Sequence, residues 1–173
     1  MNSTKTLKFL EEGDFAQNFP EVVSFLLKDH EAMRDLMDKV NSSRLVPSVI
    51  FKHFKNLEAL VKSHMAAEEA ALVNPLKHHP KFKDEALESY EEHRIHEHIF
   101  FGIRKLKAKD RKLAQMKIYC EMLEHHLKEE EHDLFPQYKA YFARSSKRKA
   151  GKKFIRVRLK TAKPKSRIGA LGR

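Results

Sequence analysis

The chain has 173 residues, of which 41% are hydrophobic, and a formal net charge of +11. This length allows one domain of ordinary size with some residues left over. No apolar run approaches the roughly 20 residues of a transmembrane helix, and the first residues lack a signal-peptide core, so we expect a cytoplasmic protein. The single cysteine, Cys120, excludes a disulfide framework and any multi-cysteine zinc or iron–sulfur site within one chain.

The first two predicted elements are long amphipathic helices. Pro20 precedes a run of apolar residues at helical spacing, and Pro47 opens a second run in the same way. The first inward stripe is Val23, Leu26, His30, Met33 and Met37, and the second is Ile50, Phe54, Leu57, Val61, His64, Glu68 and Ala71. We predict that helix one ends near Asn41 and helix two near Pro75.

The third and fourth helices have Asp84 and Asp110 as candidate N-caps. Their inward stripes are Tyr90, His93, Glu97 and Phe100 in the third helix and Met116, Tyr119, Leu123, His126, Glu130 and Leu134 in the fourth. The third should end near Lys107 and the fourth at Pro136, with a shorter helical piece over residues 137–143. Since the loops are short and no strand pattern intervenes, we predict an all-α protein, an up-down-up-down antiparallel four-helix bundle.

A basic tail follows the predicted bundle. Thirteen of the 35 Lys and Arg residues lie in residues 144–173 with none of the 24 acidic residues, so the rest of the chain has 22 cations and 24 acids. Pro164 interrupts this tail, and we expect it to be largely disordered. It either only aids solubility or binds nucleic acid or another anionic surface. Alternatively, its alternating residues Ile155, Val157 and Leu159 add a strand to the sheet of a partner. The predicted organisation is an N-terminal segment (1–19), the bundle (20–143) and the tail (144–173).

One motif occurs twice, 62 residues apart. It consists of a histidine, two glutamates that begin four residues later, an apolar pair and a proline. The copies start at His64 and His126, and their first glutamates are Glu68 and Glu130. Residues i and i+4 of a helix lie on one face about 6 Å apart along the axis, so each copy directs an imidazole and a carboxylate to one place. About one His-x-x-x-Glu is expected by chance, whereas four occur, which indicates metal binding.

All four helices place a histidine at a similar depth. His30 and His93 lie about 10 and 9 residues into helices one and three, while His64 and His126 lie about 10 residues before the ends of helices two and four. In an antiparallel bundle these positions meet at one level. Because buried imidazoles and carboxylates cost several kcal/mol without a compensating cation, we predict one shared metal centre.

These residues resemble the hemerythrin family in its HHE branch. The resemblance runs from Leu26 to Pro136 and rests on Asp29-His30, His64 with Glu68, Glu92-His93, and His126 with Glu130 followed by Leu134-Phe135-Pro136. It implies a four-helix bundle that holds two non-haem iron ions, with Glu68 and Glu130 as bridging ligands and His30, His64, His93 and His126 as terminal ligands. Mixed imidazole and carboxylate ligation also suits manganese or zinc.

Helix three leaves alternatives open. Oxygen-carrying hemerythrins have His-x-x-x-His there, whereas this chain has Glu97 four residues after His93. Oxygen carriers also have His-x-x-x-x-Asp on helix four, where this chain has a histidine and a glutamate four residues apart. The site is therefore closer to iron-sensing and iron–sulfur-repair relatives. His96 either joins or replaces His93, and Glu97 is either a ligand or an anchor for a histidine ring.

Three functions fit this pattern. The favoured one is a protein that binds or senses dioxygen, nitric oxide or iron at a di-iron site. The alternatives are a di-iron enzyme that acts on peroxide or delivers iron for iron–sulfur cluster repair, and an adaptor that binds nucleic acid or an anionic partner through its tail. The apolar residues expected to keep the ligand pocket dry are Leu26, Met33, Phe54, Val61, Phe100 and Leu123. Asp29, Glu69 and Glu131 are expected either to accept hydrogen bonds from metal-bound histidines or simply to lie on the solvated exterior.

Overall fold

The computed structural model describes residues 20–161, which are helical and contain no strand. The main helices are α1 (Val22–Asn41), α2 (Pro47–Glu68), α3 (Lys83–Lys105), α4 (Lys109–Glu129) and α5 (Arg144–Thr161). α2 continues through a π-helical turn (Glu69–Val73) into a last turn (Asn74–Leu76), and α4 continues through a π-helical turn (Glu130–Leu134) into a short helix (Phe135–Tyr141). The predicted all-α class is confirmed. Among these helices, we find none with the length and apolar character that a membrane crossing requires.

The helix starts agree with the prolines better than with the predicted caps. α2 begins at Pro47 as predicted, and α1 begins at Val22, two residues after Pro20. The predicted caps Asp84 and Asp110 are wrong, because each lies inside the first turn of its helix and makes no side-chain cap bond. Their carboxylates still stabilise the helices, since a negative charge in the first turn interacts favourably with the helix dipole.

The predicted ends of α2 and α4 need a correction. Both helices continue past Pro75 and Pro136 because a π-helical turn directly precedes each proline-containing segment. The wider turn shifts the hydrogen-bond register, so each proline falls in the first turn of the next helical segment, where its missing N–H leaves no bond unmade. Both π-helical turns also begin next to or at a predicted ligand, Glu68 or Glu130, and π-turns within α-helices are frequent at functional sites.

The helices enclose two apolar clusters with a polar layer between them. α1 contacts α2 and α4, and α3 contacts the same two helices. The first apolar cluster includes Met33, Phe54, Leu57, Val61, Phe100 and Leu123, and the second includes Leu26, Leu72, Phe82, Leu134, Phe135 and Phe154. On α1, His30 lies between Leu26 of the second cluster and Met33 of the first. The up-down-up-down path of the four helices stays a prediction.

Residues 144–161 correct the prediction of a disordered tail. They form α5, which packs against α1 and α2 and buries Gly151 and Phe154. Their contacts, rather than their own composition, stabilise this helix, since a short basic segment is a marginal helix in isolation.

The alternative role of this segment as a strand is also wrong. Ile155, Val157 and Leu159 all lie within α5. Residues 1–19 and 162–173, which hold the predicted N-terminal segment and the end of the tail, lie outside the described residues. Binding of nucleic acid or another anionic partner by the tail stays a prediction.

Candidate metal centre

Six buried polar side chains meet between the two apolar clusters. His30 comes from α1, His64 and Glu68 from α2, His93 from α3, His126 from α4, and Glu130 from the π-helical turn after α4. None of the six is more than 3% exposed. The structure therefore brings together all six residues that the sequence analysis selected as metal ligands.

Each of the two glutamates lies between two imidazoles. Glu130 Oε2 is 3.3 Å from His30 Nε2, and Glu130 Oε1 is 3.4 Å from His126 Nε2. Glu68 Oε2 is 3.4 Å from His64 Nε2 and 3.7 Å from His93 Nε2.

These donors form two groups. Within each group, the ligand atoms all lie within 4.8 Å of one another. One group contains Glu68, His93, His126 and Glu130, and the other contains His30, His64 and Glu130. Because Glu130 belongs to both groups, its carboxylate is placed to serve two ions at once.

Four further carboxylates lie behind the imidazoles and accept hydrogen bonds from them; we call these four the second ring. Each histidine donates a hydrogen bond from Nδ1, which leaves Nε2 directed inward as a metal donor. The pairs are His30 with Glu131 (2.8 Å), His64 with Asp29 (3.2 Å), His93 with Glu69 (3.1 Å) and His126 with Glu92 (2.7 Å). The predicted roles of Asp29, Glu69 and Glu131 as acceptors are thus confirmed.

The second ring has a regular connectivity. Every acceptor is adjacent in sequence to one metal-centre residue and bonds the histidine of a different helix, in the cyclic order α1 to α2, α2 to α3, α3 to α4 and α4 to α1. Glu92, for example, adjoins His93 on α3 but accepts from His126 on α4. Glu92 was not predicted to have this role, although its position beside His93 is an indication of it.

Three of the four acceptors are held by an arginine. Arg34 Nη1 donates to Glu131 at 2.8 Å, Arg94 Nη2 to Glu69 at 2.7 Å, and Arg158 Nε to Asp29 at 2.8 Å. Among residues 20–161, we find no arginine that holds Glu92 in this way. These three arginines could not be identified from the sequence, because nothing in the local pattern distinguishes them from surface cations.

The carboxylates strongly alter protonation at the centre. Burial lowers the pKa of His64, but the Asp29 and Glu68 carboxylates outweigh burial and raise it to about 9. Burial also lowers the pKa of His126, and again the neighbouring carboxylates, first Glu130, raise it to about 9. Burial favours the neutral form of Glu130, but the imidazoles hold its pKa well below the ordinary value. The metal-free centre thus retains protons where a cation would bind.

The inward atoms fit a cation. Nε2 of all four histidines, both oxygens of Glu68 and Oε2 of Glu130 are buried and, although several lie 3.3–3.7 Å from one another, they make no well-aligned hydrogen bond. Buried polar atoms without partners are costly, and this many in one place indicates a missing electrostatic partner. Imidazole nitrogens and carboxylate oxygens together suit iron, manganese or zinc.

The two alternatives on α3 have different outcomes. His96 is 3% exposed and lies beside the centre, with its ring 5.3 Å from that of His126, but it belongs to neither ligand group. Burial and the charges of His126 and His93 lower the pKa of His96 to about 3, so it is neutral. Glu97 was predicted to face inward, and this is wrong, because its side chain is 51% exposed and pairs with Arg94.

The surroundings of the centre differ between its two sides. On the α1–α2 side, Phe154 of α5 packs edge-on against His64, with 5.9 Å between ring centroids. On the α3–α4 side, two surface clefts of about 370 and about 330 Å³ reach His126 and Glu130, respectively. The first cleft is lined by Glu92, Ile95, His96, Glu121, Met122, His125 and His126.

Comparison with known protein families matches residues 21–143 to the model described as the hemerythrin HHE cation binding domain. This match covers α1 to α4 and every residue of the two ligand groups, and it ends just before α5. No curated protein and no solved structure gives a match.

Proposed function

Because the chain belongs to the hemerythrin HHE cation-binding domain family, we propose that its metal centre holds two non-haem iron ions and binds or senses dioxygen, nitric oxide or iron. The observation that carries this proposal is the set of inward-facing imidazole and carboxylate atoms that are buried without hydrogen-bond partners. A pair of cations would satisfy all of them at once.

The distances support a division of roles among the ligands. Glu68 and Glu130 each lie between two imidazoles, so they are proposed as bridging carboxylates. Bridging carboxylates let two cations sit close together, since their negative charge offsets the repulsion between the ions. The four histidines are proposed as terminal ligands, and their Nδ1 bonds to carboxylates keep each ring oriented and each Nε2 basic.

An iron pair would supply reversible redox chemistry and coordination positions that the six side chains do not fill. The protein contributes apolar surroundings that exclude water from the site. The six apolar side chains expected to exclude water are all at most 3% exposed: Leu26, Met33, Phe54, Val61, Phe100 and Leu123. Such an enclosure limits competing reactions with water and sets the lifetime of a bound diatomic ligand.

Anaerobic titration with Fe(II) tests the proposed function. We expect two ions per chain, and exposure of the loaded protein to air or nitric oxide should produce visible absorption that zinc-loaded protein lacks, since zinc has no redox chemistry. The double variant Glu68→Ala/Glu130→Ala should lose two-ion binding. Glu129→Ala is the matched control, because this adjacent glutamate is 46% exposed and pairs only with His125 in the recorded contacts of the described residues.

Two results would overturn the proposal. One is fewer than two ions bound by the wild-type chain, and the other is two ions still bound by the double variant. Sustained turnover of hydrogen peroxide by the iron-loaded protein would instead favour the enzymatic alternative over simple binding or sensing.

A further inference from the structure

We propose that α5 is a positioning element of the metal centre, in which Arg158 holds Asp29 so that Asp29 keeps the His64 imidazole aimed at the metal ions. This inference rests on the proposed metal centre and assigns a role to a helix outside the family match at residues 21–143. Arg158 does not itself contact a ligand atom and acts through Asp29.

The connection consists of three hydrogen bonds to Asp29, two from Arg158 and one from His64. Arg158 binds the Asp29 carboxylate at two points, Nε to Oδ2 at 2.8 Å and Nη2 to Oδ1 at 3.4 Å. Oδ2 also accepts the hydrogen bond from His64 Nδ1 at 3.2 Å. A two-point guanidinium contact fixes the plane of a carboxylate as well as its position. The orientation of Asp29, and through it that of the His64 ring, is therefore set from α5.

Phe154 acts on the same histidine from one turn earlier in α5. Its ring is 1% exposed and meets the His64 ring edge-on at an interplanar angle of 77°. Residues i and i+4 share one helix face, so Phe154 and Arg158 reach His64 and its acceptor together. The ring blocks one flank of the imidazole, while the arginine holds the carboxylate behind it.

The position of α5 along the bundle is fixed by close contacts nearer its start. Gly151 lies so near the chain before α1 that a Cβ there would be 2.6 Å from the Pro20 carbonyl oxygen. Lys147 donates to the Lys139 carbonyl oxygen at 3.0 Å and lies 3.4 Å from Glu21. These contacts hold α5 in the register that brings Arg158 to Asp29.

Four of the residues through which α5 contacts the bundle follow helical spacing. They are Lys147, Gly151, Phe154 and Arg158, at steps of four, three and four. Beside them, the partly buried Ala150, Ile155 and Val157 pack against the second apolar cluster. The face of α5 that meets the bundle therefore combines apolar packing with the polar contacts of Lys147 and Arg158.

The coupling must act in both directions. If a docked α5 raises the affinity of the centre for metal, then bound metal favours docking of α5 by the same factor. Trypsin cleavage within α5, which is rich in Lys and Arg, should therefore be slower in Fe(II)-loaded protein than in metal-free protein. Protease resistance thus reports the coupling independently of any activity.

The decisive comparison is Arg158→Ala against Lys160→Ala, which removes an exposed cation from the same helix. We measure anaerobic Fe(II) affinity by chelator competition and coordination by the absorption of Co(II)-loaded protein. Arg158→Ala should weaken one of the two ions by about tenfold, as changes behind metal-bound histidines do. That ion is the one proposed to be held by His30 and His64 together with the bridging carboxylates. Arg158→Lys, which keeps the charge without the two-point contact, should fall between Arg158→Ala and wild type, and Lys160→Ala should match wild type.

Failure of this inference can be told apart from failure of the metal centre. Wild-type protein that binds two Fe(II) ions, with Arg158→Ala and Arg158→Lys binding both ions as tightly and resisting trypsin as well, would overturn the role of Arg158 alone. Wild-type protein that binds no metal would overturn both proposals. If Arg158→Ala does not fold, Arg158→Lys decides, and wild-type affinity in that variant overturns the role.

Discussion

The two sides of the metal centre present the same donor chemistry in opposite surroundings. On the α1–α2 side, α5 covers His64 with Phe154 and holds its acceptor Asp29 with Arg158. On the α3–α4 side, His126 relies on Glu92 alone, at 2.7 Å, and a surface cleft of about 370 Å³ reaches the same pair. The proposed ligands are thus braced by a helix on one side, whereas a surface cleft reaches them on the other.

This division has a physical reason. A site that binds a small molecule must be dry enough to control its chemistry and still open enough for exchange. Covering one side with a helix and leaving clefts on the other meets both requirements without a moving lid. The arginines that hold the acceptors also differ in exposure between the two sides. Arg94, which holds Glu69 on the open side, is 42% exposed, whereas Arg158, which holds Asp29 on the covered side, is 20% exposed.

The largest expected effect is on the stability of metal-free protein. It comes from the protons that His64 and His126, on opposite sides of the centre, each retain. His64 and His126 have pKa values raised to about 9 from an ordinary 6.5. A raised pKa in the folded state adds stability that is complete below pH 6.5 and is lost as the pH rises through about 9. We expect chelator-treated protein to lose a few kcal/mol of unfolding free energy between pH 6.5 and 9.

Urea unfolding at the two pH values measures this loss. Metal-loaded protein is the control, because bound metal replaces those protons and its affinity rises over the same interval. Equal stability of the metal-free protein at pH 6.5 and pH 9 would contradict the raised pKa values.

The next effect separates the two sides directly. Asp29→Ala and Glu92→Ala each remove the carboxylate behind one imidazole, and each should weaken metal binding by about 10- to 100-fold. Of these two variants, only Asp29→Ala should also expose α5 to trypsin, because within residues 20–161 it is Asp29 that joins a proposed ligand to Arg158. Chelator competition and cleavage rates test both statements. If Glu92→Ala loosened α5 as much as Asp29→Ala did, the proposed division between the sides would be wrong.

A smaller effect is expected from two glycines. Gly151→Ala would place a methyl group 2.6 Å from the Pro20 carbonyl oxygen, and such overpacking costs about 1–3 kcal/mol, partly offset by the better helix propensity of alanine. Gly102→Ala is the matched control, since it meets no atom within 4 Å and should gain about 0.5–1 kcal/mol. Thermal unfolding of the two variants should shift in opposite directions. A stabilised Gly151→Ala protein would show that α5 is not closely docked.

The meeting of these six side chains could be predicted from the sequence because the proposed ligands occupy core positions. His64 and Glu68 continue the same stripe of steps of three and four as the apolar residues before them, and so do His126 and Glu130. Side chains on one such stripe must face the interior, and residues at equal depth must meet. On α3 the stripe is ambiguous, since residues three and four positions after His93 both share its face. Burial favoured the neutral His96 and left the charged Glu97 in solvent.

The helical structure and docking of α5 could not be predicted from the sequence, for a different physical reason. Its inner face combines Phe154 and the partly buried Ala150, Ile155 and Val157 with a lysine, a glycine and an arginine, so the apolar stripe is weak within a strongly basic segment. Their stabilising partners lie far away in sequence, with Arg158 and Asp29 separated by 129 residues. Composition predicted a basic and largely disordered segment, whereas long-range contacts stabilise residues 144–161 as a helix. Arginines that support the second ring of carboxylates escaped detection for the same reason.

The smallest expected effect tests the open side as the route of entry. Met122 is 39% exposed and lines the cleft beside His126, so Met122→Trp should fill part of that cleft. We expect nitric oxide to bind the iron-loaded variant several-fold more slowly in stopped-flow measurements, with metal content unchanged. Equilibrium affinity should change less, because association and dissociation use the same path. Ile118→Trp adds the same bulk one turn earlier on α4, at a 55% exposed position outside the cleft, and should leave the rate at the wild-type value. Equal rates in all three proteins would place the entry elsewhere, and a faster rate after Arg158→Ala would then point to the covered side.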